Sequence, residues 1–232
     1  MTKTAFITGA SRGIGKAIAT RVAADGNNVF LLARNKNALA EVVDICKSHS
    51  VKVESLAGEL ADESYMDNAI QSALKAFGSI DVLVNNAGAA SRQAVQDADL
   101  AAWRDILDVN FNAVVYLSNK ILPNMIERKS GTVVNISSIS GRNTHAEGAI
   151  YCASKHALNG FSGCMYEDVR DYGIKVSTIM PGFVETGLTS NLKLNANNML
   201  QPDDVADAVQ YVLSASASCC PTEIVLRPQL RP

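Results

Sequence analysis

Tyr151 and Lys155 are the pair in this sequence best spaced to share one piece of chemistry, and Asn135-Ile136-Ser137-Ser138 ends thirteen residues before the tyrosine. On a helix, positions four apart lie on one face, so the phenol and the ammonium address the same small volume. A free phenol titrates near ~10, and a fixed cation beside it favours the phenolate and lowers that value. Tyr151 would then exchange a proton with a substrate oxygen near neutral pH. An isolated Tyr-x-x-x-Lys is also what an ordinary helix presents, with a half-buried Tyr and a solvated Lys. The elements around the pair have to decide.

Those elements alternate in type. Lys3 to Thr8 reads as a short apolar strand that runs into Gly9-Ala10-Ser11-Arg12-Gly13-Ile14-Gly15. A helical pattern follows (Ala17, Ile18, Val22, Ala23), ends at Asp25-Gly26, and gives way to a strand from Asn28 to Ala33. This strand, glycine turn, helix, strand order is the context in which a glycine motif is informative. Further strands are expected at Val51 to Ala57, Asp81 to Val84, Gly131 to Ile136, Lys175 to Met180 and Glu223 to Leu226. Between them, helices are expected at Ala38 to Lys47, Asp62 to Phe77, Ala101 to Ile126, Ala149 to Tyr172 and Pro202 to Leu213. The strands are continuous apolar runs, as in a mostly parallel seven-stranded sheet covered on both faces by helices. The expected fold class is α/β, a single doubly wound (Rossmann) domain over residues 1–232. One irregular stretch, residues 182–200, holds Asn191, Asn195, Asn197 and Asn198 and reads as a lid.

Composition narrows the partners. At 232 residues the chain is long enough for one sizeable core, and 47% hydrophobic with 19% charged residues is ordinary for a folded globule. A net charge of −2 argues against a nucleic-acid or membrane-surface binder that works by bulk electrostatics. No apolar run approaches the ~18 residues of a membrane helix. Five cysteines form no regular framework and the first residues do not resemble a secretory leader, so a reduced, cytoplasmic setting is expected. His49, His145 and His156 lack ligand spacing with the cysteines, so no metal is expected. The expected partner is a small molecule.

In a doubly wound sheet, ligands bind at the carboxyl ends of the strands. Gly9, Gly13 and Gly15 sit there after the first strand, where missing side chains let the backbone approach a pyrophosphate at a helix N-terminus. After the second strand an acidic residue would hold a ribose 2′-hydroxyl, but this chain has Leu32-Ala33-Arg34, with Arg12 inside the glycine loop. Guanidinium groups pair with a 2′-phosphate that a carboxylate would repel, so the expected cofactor is NADP(H).

Taken together, Thr8 to Gly15, Asn85-Asn86-Ala87-Gly88, Asn110, Ser138, Tyr151-x-x-x-Lys155 and Pro181-Gly182 resemble the classical short-chain dehydrogenases/reductases. The resemblance runs from residue 3 to about residue 227, with the motifs in the family's order and spacing. It implies hydride transfer between a nicotinamide and a carbonyl or alcohol carbon. It implies Tyr151 as general acid in reduction, Lys155 as the holder of the nicotinamide ribose, and Ser138, rather than Ser137, as hydrogen-bond donor to the substrate oxygen. Asn110 would stand behind Lys155 in a water-mediated proton relay. The cofactor would meet Ser11, Arg12 and Ile14 with the three glycines, then Arg34, Glu59, Leu60, Asn86, Ala87, Gly88, Pro181, Gly182, Val184 and Thr186. Glu59 departs from the Asp usual in the family and is one methylene longer.

The substrate side is less determined. Ala89 to Gln93, Ser140 to Gly148 and the lid should line the pocket, and they carry Arg92, Arg142, His145 and Glu147. The primary expectation is a carbonyl reductase or hydroxy-acid/alcohol dehydrogenase for small or medium substrates. A 3-oxoacyl-[acyl-carrier-protein] reductase would share the same residues, with Arg128 and Lys129 available to meet an acidic carrier. A non-catalytic NADPH-sensing protein is the expectation of another class. The resemblance further implies a homodimer or homotetramer, built through the two long helices.

Overall fold

Strands form where the apolar runs are and pair in one direction only. In the computed structural model, which describes residues 2–232, they are β1 (Thr4–Thr8), β2 (Asn28–Ala33), β3 (Val53–Ala57), β4 (Val82–Asn85), β5 (Gly131–Ile136), β6 (Ile174–Pro181) and β7 (Glu223–Leu226). Met1, at the head of the expected domain, lies outside the described residues. The sheet order is β3-β2-β1-β4-β5-β6-β7, and every neighbouring pair is parallel. The sheet is therefore all-parallel rather than mostly parallel.

In the five inner strands both faces are buried, which is why they are apolar throughout, whereas the edge strands β3 and β7 keep exposed positions such as Glu54 and Glu223. Ala5 and Ile7 of β1 join one core with α1 (Gly13–Ala24), α2 (Lys36–Lys47) and α7 (Pro202–Ser214). Phe6, between them, points into the other core with α3 (Glu63–Phe77), α5 (Ala113–Arg128) and α6 (Ala149–Val169). Polar side chains cap three helix starts: Asn35 accepts from the Ala38 N–H at α2, and Asp62 accepts from Ser64 and Tyr65 at α3. Asp99 does the same at α4 (Leu100–Leu107). The start of α1 has no side-chain cap.

The expected single helix over Ala101 to Ile126 is not continuous. α4 and α5 are joined by a π turn, Asp108–Asn112, in which the Ala113 N–H reaches back to the Asp108 carbonyl. The inserted residue leaves the apolar pattern running on, so periodicity alone reads straight through it.

Residues 182–200, the stretch expected to act as a lid, are irregular apart from a short turn at Ala196–Asn198 and are tied at the base. Glu185 N–H donates to the Leu200 carbonyl and Leu200 N–H to that of Phe183, both at 2.9 Å. Asn198 also holds the Arg231 carbonyl at 2.7 Å, anchoring the C-terminal tail against the lid.

Candidate active site

The site gathers at the carboxyl ends of the strands. Gly9 and Gly13 take positive φ, 67° and 53°, a backbone region open to glycine. At Gly15 a Cβ would collide with the Gly9 carbonyl oxygen, and at Gly9 it would sit 2.8 Å from the Ala87 Cα. The turn is held from outside by Asn86, whose Nδ2 donates to the Thr8 carbonyl at 2.9 Å and to that of Gly9 at 3.2 Å. Thr8 Oγ1 in turn accepts from the Asn86 and Ala87 N–H groups, each at 3.0 Å. The uncapped first-turn N–H groups of α1 thus face a cradle without side chains, which fits an anionic pyrophosphate. Asn86 itself is spent on the glycine turn, so its nearest partners are backbone rather than open space.

Around the cradle, Ser11 and Ile14 are half-buried and Arg12 is exposed, with its guanidinium against Gly187 of the lid. Thr186 lies over Gly13, Val184 is buried, and the Gly182 N–H donates to the Leu226 carbonyl at 2.8 Å, fixing the turn after Pro181. Leu60 is buried in the core below the exposed Glu59. Arg34 and Glu59 lie 3.9 Å apart with side chains 69% and 61% exposed. Such a pair is weakly held and leaves the guanidinium free to change partner.

α6 brings the reacting side chains together. Lys155 is 4% exposed, and its Nζ donates to the Ile136 carbonyl at 2.9 Å. It stands 5.9 Å from the centre of the Tyr151 ring, and a Cβ on Gly88 would be 3.9 Å from it. The glycine turn, Ala87-Gly88 and Lys155 therefore form one continuous wall. Ser138 is buried, and its Oγ accepts from the Ser140 N–H at 3.1 Å, which starts the short turn Ile139–Gly141. Ser137 is committed elsewhere, donating to Asn159 Oδ1 at 2.6 Å.

The protonation balance differs from the sequence expectation. Burial holds the Tyr151 phenol above its ordinary value, the Ser138 hydroxyl pulls it down, and Cys152 adds a further upward push. Burial also draws the Lys155 ammonium down, to about 8. The expected depression of Tyr151 by Lys155 is not realised: loss of water disfavours the charged form of both groups, and the ammonium is directed at a carbonyl instead.

Asn110 is buried in the π turn, but its side chain is fully used. Its Oδ1 accepts from the Ala89 N–H at 2.8 Å, and its Nδ2 donates to the Ala89 carbonyl at 2.9 Å and to Ser154 Oγ at 3.0 Å. Ser154 then donates to the Tyr151 carbonyl at 2.8 Å. A relay behind Lys155 would have to use the Asn110 main chain, and Ser154, not singled out from the sequence, is the link to α6. A serine three residues after Tyr151 was the only signal for it.

Two charged candidates move away from the site. Arg142 pairs with Glu223 of β7 at the surface, a contact of the weakly held exposed kind. Arg128 bonds Asp81 at 2.7 Å and the Ile80 carbonyl at 2.8 Å, at the amino end of β4 and thus the opposite edge of the sheet from Tyr151. Arg92, His145 and Glu147 remain exposed on the two loops beside the site. These loops touch, the Gln93 N–H donating to the Glu147 carbonyl at 3.1 Å, and Glu147 has a positive φ of 60°.

Comparison with known proteins agrees with this architecture. The pattern of the short chain dehydrogenases matches residues 3–197, and the chain belongs to that family. It is 34% identical over 226 residues to an uncharacterised oxidoreductase of Staphylococcus aureus (strain USA300), covering 97% of each chain. A solved metagenomic short-chain oxidoreductase in complex with NADP superposes with a TM-score of 0.87 at 33% identity, over 99% of this chain and 98% of that one. A substituted actinorhodin polyketide ketoreductase with NADPH gives a TM-score of 0.89 at 26% identity, over 98% and 96%. The protein is a short-chain oxidoreductase with a single Rossmann-like sheet.

Proposed function

We propose that the protein is an NADP(H)-dependent enzyme that interconverts a carbonyl and a secondary alcohol on a small or medium substrate, as a carbonyl reductase or hydroxy-acid/alcohol dehydrogenase. The observation that carries this reading is the meeting of Ser138, Tyr151 and buried Lys155 beside a glycine cradle at an uncapped helix start. When bound, the nicotinamide supplies or accepts the hydride. Tyr151 gives a proton to the carbonyl oxygen during reduction and takes it back during oxidation. Burial disfavours the phenolate, so the phenol is kept in the form that can act as the acid in reduction. Ser138 donates a hydrogen bond to the same oxygen as charge develops there. Lys155 would hold the ribose hydroxyls and keep a positive charge beside the phenol.

Arg34, aided by Arg12, would take the 2′-phosphate, and the NADP and NADPH in the two solved relatives support that choice. Two rival readings are weaker. A 3-oxoacyl-[acyl-carrier-protein] reductase loses the Arg128 argument, because that side chain is engaged far from Tyr151. A non-catalytic NADPH sensor would have no use for a buried acid and its cation. Among the described residues no helix is long and apolar enough to cross a membrane. The partner in this reading is a small carbonyl or alcohol, with neither nucleic acid nor membrane involved.

A panel of ketones, aldehydes, hydroxy acids and acyl thioesters, followed by NADPH absorbance, tests the reading. Turnover of free carbonyls with NADPH preferred over NADH is expected. Turnover confined to acyl thioesters would move the assignment to the first rival, and none at all to the second.

A further inference from the structure

The exit of β5 is joined to α6 by a ladder of side-chain bonds. Asn135 Nδ2 donates to Ser162 Oγ at 2.8 Å, Ser137 Oγ to Asn159 Oδ1 at 2.6 Å, and Lys155 Nζ to the Ile136 carbonyl at 2.9 Å. Asn159 reaches further along the chain than the other rungs, because its Nδ2 also donates to the Gly141 carbonyl at 3.0 Å and meets Met180 Sδ at 3.5 Å. It thereby grips the chain immediately before Ser138 and again three residues after it. Gly141 is pressed onto the helix at this point: a Cβ there would lie 2.5 Å from Asn159 Nδ2 and 2.8 Å from the Lys155 carbonyl oxygen. Asn159 also falls four residues beyond Lys155 and eight beyond Tyr151, so the three share one stripe of α6.

We propose that Asn159 is a positioning residue for the reaction: by bridging Ser137 and Gly141 it fixes where the Ser138 hydroxyl stands relative to Tyr151. The inference rests on the roles given above to Ser138 and Tyr151. An amide is suited to the task because it accepts and donates at once, whereas Asp only accepts and Leu does neither. Without the bridge, Ser138 is steadied within its own turn, by the Ser140 N–H on its Oγ and the Gly141 N–H on its carbonyl, and a displacement of about 1 Å at such a site costs on the order of 100-fold in rate.

The test compares wild type with Asn159→Leu, Ser137→Ala and the double variant, measuring kcat, KM and the NADPH Kd from fluorescence. Asn159→Leu should lower kcat by about 10- to 100-fold while the NADPH Kd stays within about twofold. Ser137→Ala breaks the same bond more gently, should lose less, and should add little to Asn159→Leu in the double variant. Hydrogen exchange needs no substrate: the Ser140 and Gly141 amides should exchange at least about tenfold faster in Asn159→Leu, with α6 and the central strands unchanged. Retained kcat, a parallel loss of NADPH affinity, or faster exchange across the whole sheet would overturn the inference. If the wild type reduces no carbonyl, the functional reading fails by itself, and the exchange measurement still decides whether Asn159 fixes the turn.

Discussion

Lys155 is held almost out of reach of water, and its charge is costly there. A drop from the ordinary lysine value of ~10.4 to about 8 corresponds to ~3 kcal/mol. Between those values the unfolded chain holds a proton that the folded protein has released, so stability rises with pH across that window. Below about 8 the cost is present in full. Lys155→Met should therefore raise the thermal midpoint at neutral pH, by roughly 2–4 °C for each kcal/mol recovered in a chain of this size. The gain should shrink towards pH ~10 while turnover collapses. Calorimetry at both pH values checks this, and a variant less stable than wild type at both would mean that the bond to Ile136 outweighs burial. Arg34 allows a second test. Ala33→Asp with Arg34→Leu should shift the NADPH-to-NADH ratio of kcat/KM by about 10- to 100-fold towards NADH, the worth of hydrogen bonds to a charged group. An unchanged ratio would contradict the 2′-phosphate assignment.

Among the elements, the glycine turn is the least forgiving. Gly15→Ala places a methyl against the Gly9 carbonyl, and backbone cannot swing aside as a side chain would. A loss of about 1–3 kcal/mol in stability is expected, together with weaker NADPH binding; melting curves and fluorescence titration would reveal either. This turn and the seven strands were legible in the sequence because burial on both faces demands unbroken apolar runs, and close backbone approach demands glycine. The π turn was not, since one inserted residue leaves the apolar pattern of Ala101 to Ile126 intact. Asn159 read as an unremarkable polar helix residue; only three-dimensional contact reveals that both ends of its amide are used. Partners are equally invisible in a sequence: only the fold shows that Arg128 bonds Asp81 and that Arg142 meets Glu223. The closeness of Tyr151 and Lys155 was legible, but the direction of their shifts was not, because spacing carries no information about desolvation.

At the scale of the molecule, the strand order reverses direction between β1 and β4, and the crevice at such a switch point is where a dinucleotide lies in doubly wound sheets. Gly9 follows β1, Arg34 follows β2, Asn86 follows β4 and Ser138 lies just beyond β5, so one parallel sheet delivers cofactor and reacting groups to the same edge. Tyr211, Val225 and Leu230 are large apolar residues left exposed near the C-terminal end of the chain, on α7, the edge strand β7 and the tail. An exposed edge strand such as β7 favours association. Light scattering should accordingly give a mass of two or four copies of the 24.7 kDa chain, and a monomer mass would contradict it. The central claim is that Tyr151 moves the proton in a site otherwise built to bind and orient. Its most direct test is Tyr151→Phe, with NADPH affinity and kcat measured side by side on the best carbonyl of the panel. The account predicts an NADPH Kd close to that of the wild type and a kcat lower by about 100-fold or more. Equal kcat in the two proteins would contradict it.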